Sequence, residues 1–208
     1  MAQDKLTATP TQINSLAQRM GSLGAEINAE LTKAYNEFDQ LKSAWKGKGY
    51  NNLANAFTEA KPTIDSALMF LAQTTPNNTS IAAFNIANSP LGNGGINKVQ
   101  FSSNPVTAPT TTPEEPIEWD PNIVHNTRNS ISSSFDKVVG QLSPYEGFIN
   151  QLPWGGSEGQ NFRTNFNMHK NRINETISNI KTSFQRYMDE THSTVQGTMR
   201  PSINLDGQ

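Results

Sequence analysis

The chain contains no cysteine, which excludes disulfide staples and thiolate metal sites. Its three histidines, His125, His169 and His192, lie far apart without paired ligand spacing, so no metal centre is expected. Apolar residues make up only 34% of the chain, low for a single globule, and long narrow cores are expected instead of one compact interior. No run of about 18 apolar residues occurs, and no membrane-spanning helix is expected. Charge is balanced, with 16 Lys and Arg against 18 Asp and Glu. A net charge of -2 offers no basic surface for nucleic acid or an anionic membrane. The start, Met1 to Lys5, lacks the apolar centre of a cleaved signal peptide.

Catalytic chemistry is equally hard to assemble. Gly92 to Gly95 and Gly155-Gly156 lack the lysine and strand context of a phosphate loop. The acidic pairs Glu114-Glu115 and Asp189-Glu190 fall in a polar stretch and near a helix end, where solvation is the expected role. His169 falls on an apolar stripe between Phe166 and Ile173, which suits a half-buried packing role. No nucleophile, base and orienting group come together. The expectation is a protein that is not an enzyme and needs no cofactor.

What is present is a repeat. Leu41-Lys42-Ser43-Ala44-Trp45-Lys46-Gly47 and Gln151-Leu152-Pro153-Trp154-Gly155-Gly156 each place Trp-x-Gly after a long apolar-periodic stretch. An apolar residue follows each Trp by eight positions (Leu53, Phe162), and a Phe by twelve (Phe57, Phe166). Such self-similarity indicates two copies of one unit, a helix, a tight turn and a second helix.

Thr9-Pro10-Thr11-Gln12 reads as a capping box with proline at the first helical position. Ile13, Leu16, Met20, Leu23, Ile27, Leu31, Ala34, Phe38, Leu41 and Trp45 then recur at helical spacing until Gly47 and Gly49 break it. The return stripe, Leu53, Phe57, Ala60, Ile64, Leu68 and Leu71, is expected to kink at Pro62 and to stop before Thr74-Thr75-Pro76. Residues 74–118, rich in Asn, Gly, Thr and Pro, read as a flexible linker with room for one short helix around Ile81 to Ala87.

Asp120-Pro121 opens the second unit as an N-cap followed by proline, with Trp119 spaced to staple onto Val124. Its stripe runs Ile131, Phe135, Val138, Leu142, Tyr145, Ile149 and Leu152, with a kink expected at Pro144. Ser157-Glu158-Gly159-Gln160 reads as another capping box, before Phe162, Phe166, Ile173, Ile177, Ile180, Phe184 and Tyr187. Gly197 and Pro201 mark a frayed tail.

One apolar stripe per helix leaves a lone hairpin half exposed, and each Leu or Phe fully buried contributes roughly 1.5–3 kcal/mol. Two hairpins therefore gain by packing together. The expected fold is all-α: two helical hairpins (residues 5–73 and 119–195) packed antiparallel into an elongated four-helix bundle, with a disordered tail over 196–208. The 74–118 linker is long enough to let them pair within one chain as a monomer.

With Trp45-Lys46-Gly47 and Trp154-Gly155-Gly156 each at a mid-hairpin turn, the chain resembles the WXG-motif, early-secreted-antigen-like proteins of type VII (ESX-type) secretion systems. The resemblance covers about residues 5 to 73 and 119 to 195. It implies a non-enzymatic secreted substrate or helper, made in a bacterial cytoplasm and exported without a cleaved signal. It also implies recognition by the secretion ATPase and machinery, with another WXG-like protein or a toxin as further partners. The family signal, Tyr-x-x-x-Asp/Glu near the end of the second helix, is not matched letter for letter. Tyr187-Met188-Asp189-Glu190 brings its acids two and three positions after the Tyr, whereas Tyr35 to Asp39 has the spacing but sits in the first helix. The implied recognition residues are Trp45, Gly47, Trp154, Gly156, Tyr187 and Glu190. Two other roles fit the same pattern: an export chaperone for a larger type VII toxin, and a cytoplasmic coiled-coil scaffold.

Overall fold

The computed structural model describes residues 8–90 and 92–199, and the protein is all-α. Helix α1 spans Pro10–Gln40. The Thr9 hydroxyl accepts the Gln12 N–H at 3.2 Å while the Gln12 side chain accepts the Thr9 N–H at 2.8 Å, which is the expected capping box. A short 3₁₀ turn, Leu41–Ser43, ends it, and α2 runs over Lys48–Leu68. Helix α4 covers Pro121–Gln151 and α5 covers Gly156–Met199. Asp120 caps α4, accepting the N–H groups of Asn122 and Ile123. Pro62 and Pro144 sit inside α2 and α4, which continue through them.

The helices pair across the two halves. Ser130, Lys137 and Gln141 of α4 donate to Glu37, Glu30 and Glu26 of α1 at 3.0, 2.8 and 2.9 Å. One set of numbers rises as the other falls, so α4 runs antiparallel to α1. Helix α5 lies antiparallel along α2, with Phe184 near Trp45 and His169 stacked on Phe70 at 4.4 Å. His169 is half-buried, and burial, reinforced by the Arg172 guanidinium, holds its pKa below the ordinary value.

The chain that follows α2 departs from the sequence reading. The return helix does not stop before Thr74. A π-helical segment, Met69–Thr74, carries the chain into α3, Thr75–Ala87. Pro76 falls in the first turn of α3, directly after the π-helical segment, and the helix continues through it. The buried face of α3 is Thr75, Pro76, Thr79, Ser80, Ala83 and Ala87, small side chains that an apolar stripe does not register. Helix α1 answers with a second buried row, Ala17, Gly21, Gly24 and Asn28. A Cβ on Gly24 would meet the Ala72 backbone at 2.6 Å, so only glycine permits this approach. The Thr79 hydroxyl donates to the Thr75 carbonyl at 2.9 Å, keeping its polarity satisfied inside the helix.

Beyond α3, the stretch expected as a flexible linker is an extended strap laid back along α1, α2 and α3. Val106 of the strap is 1% exposed, and the backbone groups of Phe101, Asn104 and Thr112 are hydrogen-bonded to α3, α1 and α2 respectively. Helix α5 also starts at Gly156, so Ser157 lies inside the first turn and not at the cap expected for it. The Arg163 guanidinium serves that turn, donating to the carbonyls of Trp154 and Leu152. The tail expected from residue 196 is helical to Met199, and residues 200–208 lie outside the described residues.

One buried polar contact ties α4 to the π-helical segment. The Tyr145 hydroxyl donates to the Leu71 carbonyl at 2.6 Å, and the tyrosine is fully buried. Burial raises its pKa above the ordinary phenol value. Tyr145→Phe should lower stability by about 1–2 kcal/mol, because the carbonyl is left without this donor in a dry site. Urea titration with an unchanged m-value checks it.

Candidate functional site

The first Trp turn is held by strap residues that follow the extended segment. Lys46 N–H donates to the Glu118 carbonyl and Asp120 N–H to the Ala44 carbonyl, both at 2.9 Å. Trp45 and Trp119 therefore face each other as a short antiparallel bridge. Gly47, with φ of 108°, opens α2 from the left-handed region, a conformation that costs glycine little. The Lys46 ammonium pairs with the Glu118 carboxylate at 2.7 Å.

The Trp45 ring is fully buried. Trp119 meets it edge-to-face at 5.3 Å and Tyr50 at 6.3 Å, while Phe184 lies at 6.1 Å. Neither indole N–H of the Trp45–Trp119 pair has a hydrogen-bond partner among the described residues. A buried unpaired donor is costly, so what the pair contributes to stability comes from ring packing.

The far end of α5 closes over this turn. A Cβ on Gly49 would overlap the Thr191 hydroxyl, so the second glycine of the turn admits α5. Tyr187 is half-buried with the Arg186 guanidinium 4.4 Å over its ring, and its carbonyl accepts the Thr191 hydroxyl. Glu190 is exposed and, with Thr191, lines a surface groove of about 490 Å³ shared with Lys46, Gly47 and Ile117. Ile117 is 64% exposed.

The six residues singled out from the sequence thus fall into two groups. Trp45, Gly47, Tyr187 and Glu190 belong to one end of the molecule. Trp154 and Gly156 belong to the other, separated by most of the length of α5. There the half-buried Trp154 ring meets Phe162 edge-to-face at 4.9 Å, and Phe162 lies 6.1 Å from Phe70. A second groove of about 520 Å³ runs between this turn and Asn78 and Ala82 of α3. The two turns are alike in sequence and unlike in exposure: the Trp45 indole is core and the Trp154 indole reaches solvent.

Sequence reasoning missed Trp119 as the partner of Trp45. Its spacing to Val124 suggested a local staple, and only the path of the strap brings it to the first turn. Ile117 and Glu118 carry no sequence signal of their own. Among the described residues, no three His, Asp or Glu side chains gather to hold a metal ion. No described helix is long and apolar enough to cross a membrane.

The fold defines an all-α protein, and the site defines an end cap built from a Trp-x-Gly turn, a strap and a helix tail. Comparison with protein-family models, curated proteins and solved structures finds no significant match to this chain.

Proposed function

We propose that the protein is a non-enzymatic type VII (ESX-type) secretion substrate or helper, built as a single-chain pseudo-dimer of two WXG-like hairpins in a four-helix bundle. The observation that carries this reading is the pairing of unlike ends. The Trp45 turn lies against the Tyr187 to Thr191 segment of α5, so turn and helix tail from the two halves form one composite surface. Antiparallel α1–α4 and α2–α5 contacts, in place of a purely local hairpin core, support pairing in cis. A monomer of 22.8 kDa is then the expected mass in solution.

On this reading the exposed carboxylate of Glu190 and the half-buried ring of Tyr187 carry recognition, while Trp45 holds the surface in shape. Glu190→Ala should leave thermal stability unchanged within about 0.5 kcal/mol, as expected for an exposed side chain away from the core. It should nevertheless reduce ATPase-dependent export into the culture supernatant, and Tyr187→Ala should do so as well. Normal export of both variants, with intact circular dichroism, would remove the composite signal. Full retention of the wild-type chain in the cell would favour a cytoplasmic scaffold.

A further inference from the structure

The strap is gripped by side-chain amides drawn from three helices. Asn28 of α1, Asn77 of α3 and Asn51 of α2 each take both backbone groups of one strap residue. Their Nδ2 atoms donate to the carbonyls of Asn104, Phe101 and Thr112, each at 2.9 Å. Their Oδ1 atoms accept the N–H groups of the same three residues at 2.9, 2.7 and 2.8 Å. Between these clamps the Asp65 and Asp39 carboxylates accept the Val106 and Thr110 N–H groups, both at 2.9 Å. The Tyr50 hydroxyl donates to the Thr110 carbonyl at 3.1 Å.

An amide that binds both backbone groups of one residue reads an extended conformation and accepts almost any non-proline side chain. Pro105, Pro109 and Pro113 fall at positions where the groove asks for no N–H. Two apolar seats take strap side chains, while Pro109 is also buried and the hydroxyls of Ser103, Thr110 and Thr112 donate to Gln73, Asp39 and Asn51. The Phe101 ring occupies the place where a Cβ on Gly21 would stand, and Val106 is buried in the core. From Val99 to Pro113 the strap carries no charged residue.

We propose that α1, α2 and α3 form a receptor groove for extended, uncharged, proline-containing peptides, with strap residues 99–113 as its resident ligand in cis. Sheet edges bind extended peptides through main-chain hydrogen bonds with pockets for alternate side chains. Here helix-borne asparagines supply the main-chain bonds. The occupant in trans is a segment with an aromatic residue followed five positions on by a branched aliphatic one, with prolines between the clamped positions. The strap's clamping bonds are made by helix side chains, so its opening breaks no helical backbone hydrogen bond. The inference stands or falls independently of export.

The test uses full-length protein carrying Phe101→Ser and Val106→Ser, which empty both seats from the strap side and leave the groove intact. A fluorescent peptide of residues 97–114 is the probe, read by anisotropy. Wild-type protein should bind it weakly, since the tethered strap competes at an effective concentration in the millimolar range. The double variant should bind at least tenfold tighter. Adding Asn28→Ala, Asn51→Ala and Asn77→Ala should abolish that gain. No gain in a double variant of native helicity overturns the proposal, as does a gain that survives loss of the three asparagines. If the double variant loses its helices, amide exchange on the wild type decides. The Phe101, Asn104 and Thr112 amides should exchange at least tenfold more slowly than those of Ser102 and Thr111, and equal rates overturn the proposal.

Discussion

Trp45→Ala should lower the unfolding free energy by about 3–5 kcal/mol, the cost of truncating a fully buried large aromatic. The ring is completely buried between α2, the end of the strap and α5, and its removal opens a void lined by Tyr50, Trp119 and Phe184. For a chain of this size the melting temperature should drop by roughly 10 °C. Trp154→Ala should cost less, about 1–2 kcal/mol, because that ring is only partly withdrawn from water. Trp45→Phe should cost less than Trp45→Ala, since it keeps an aromatic ring and discards an indole N–H that has no partner. Urea or thermal unfolding of the three variants side by side gives the order. A Trp154→Ala loss as large as that of Trp45→Ala would show that the two turns do the same structural work.

That inequality was not legible in the sequence, although much of the fold was. Thr9 and Asp120 announced two helix starts because capping is local chemistry, settled within four residues. The apolar stripes of α1, α2, α4 and α5 were readable because Leu, Ile and Phe at helical spacing record the side that leaves water. Helix α3 was not, for the opposite reason. Its inner face is Thr75, Thr79, Ser80 and Ala83, residues whose value lies in their small volume against α1, not in their hydropathy. The strap escaped for a third reason. A segment rich in Thr, Asn and Pro cannot bury enough apolar surface to order itself, but it needs little when Asn28, Asn51 and Asn77 satisfy its backbone. Those asparagines are spread over three helices, so no window of sequence contains the motif. At the candidate site, Trp45 and Gly47 were found from the repeat, whereas Trp119 and Glu118 owe their place to the strap.

A double-mutant cycle on Phe38 and Phe184 should show a coupling of about 0.5–1.5 kcal/mol, the range for direct aromatic pairs. Phe38 of α1 stacks on Phe57 of α2 at 4.2 Å and on Tyr50 at 5.1 Å, and it meets Phe184 of α5 edge-on at 6.0 Å. Phe57 in turn lies 6.3 Å from Phe135 of α4. Rings from all four long helices thus converge, and each of the two phenylalanines is at most 2% exposed. Phe38→Ala and Phe184→Ala should each cost about 3–5 kcal/mol, and the double variant less than their sum. Because the two residues belong to different halves of the repeat, the coupling reports on the core that the halves share. Hairpins that fold as separate domains would give additive losses and two unfolding transitions, whereas a pseudo-dimer with one core gives a single cooperative transition that both substitutions shift.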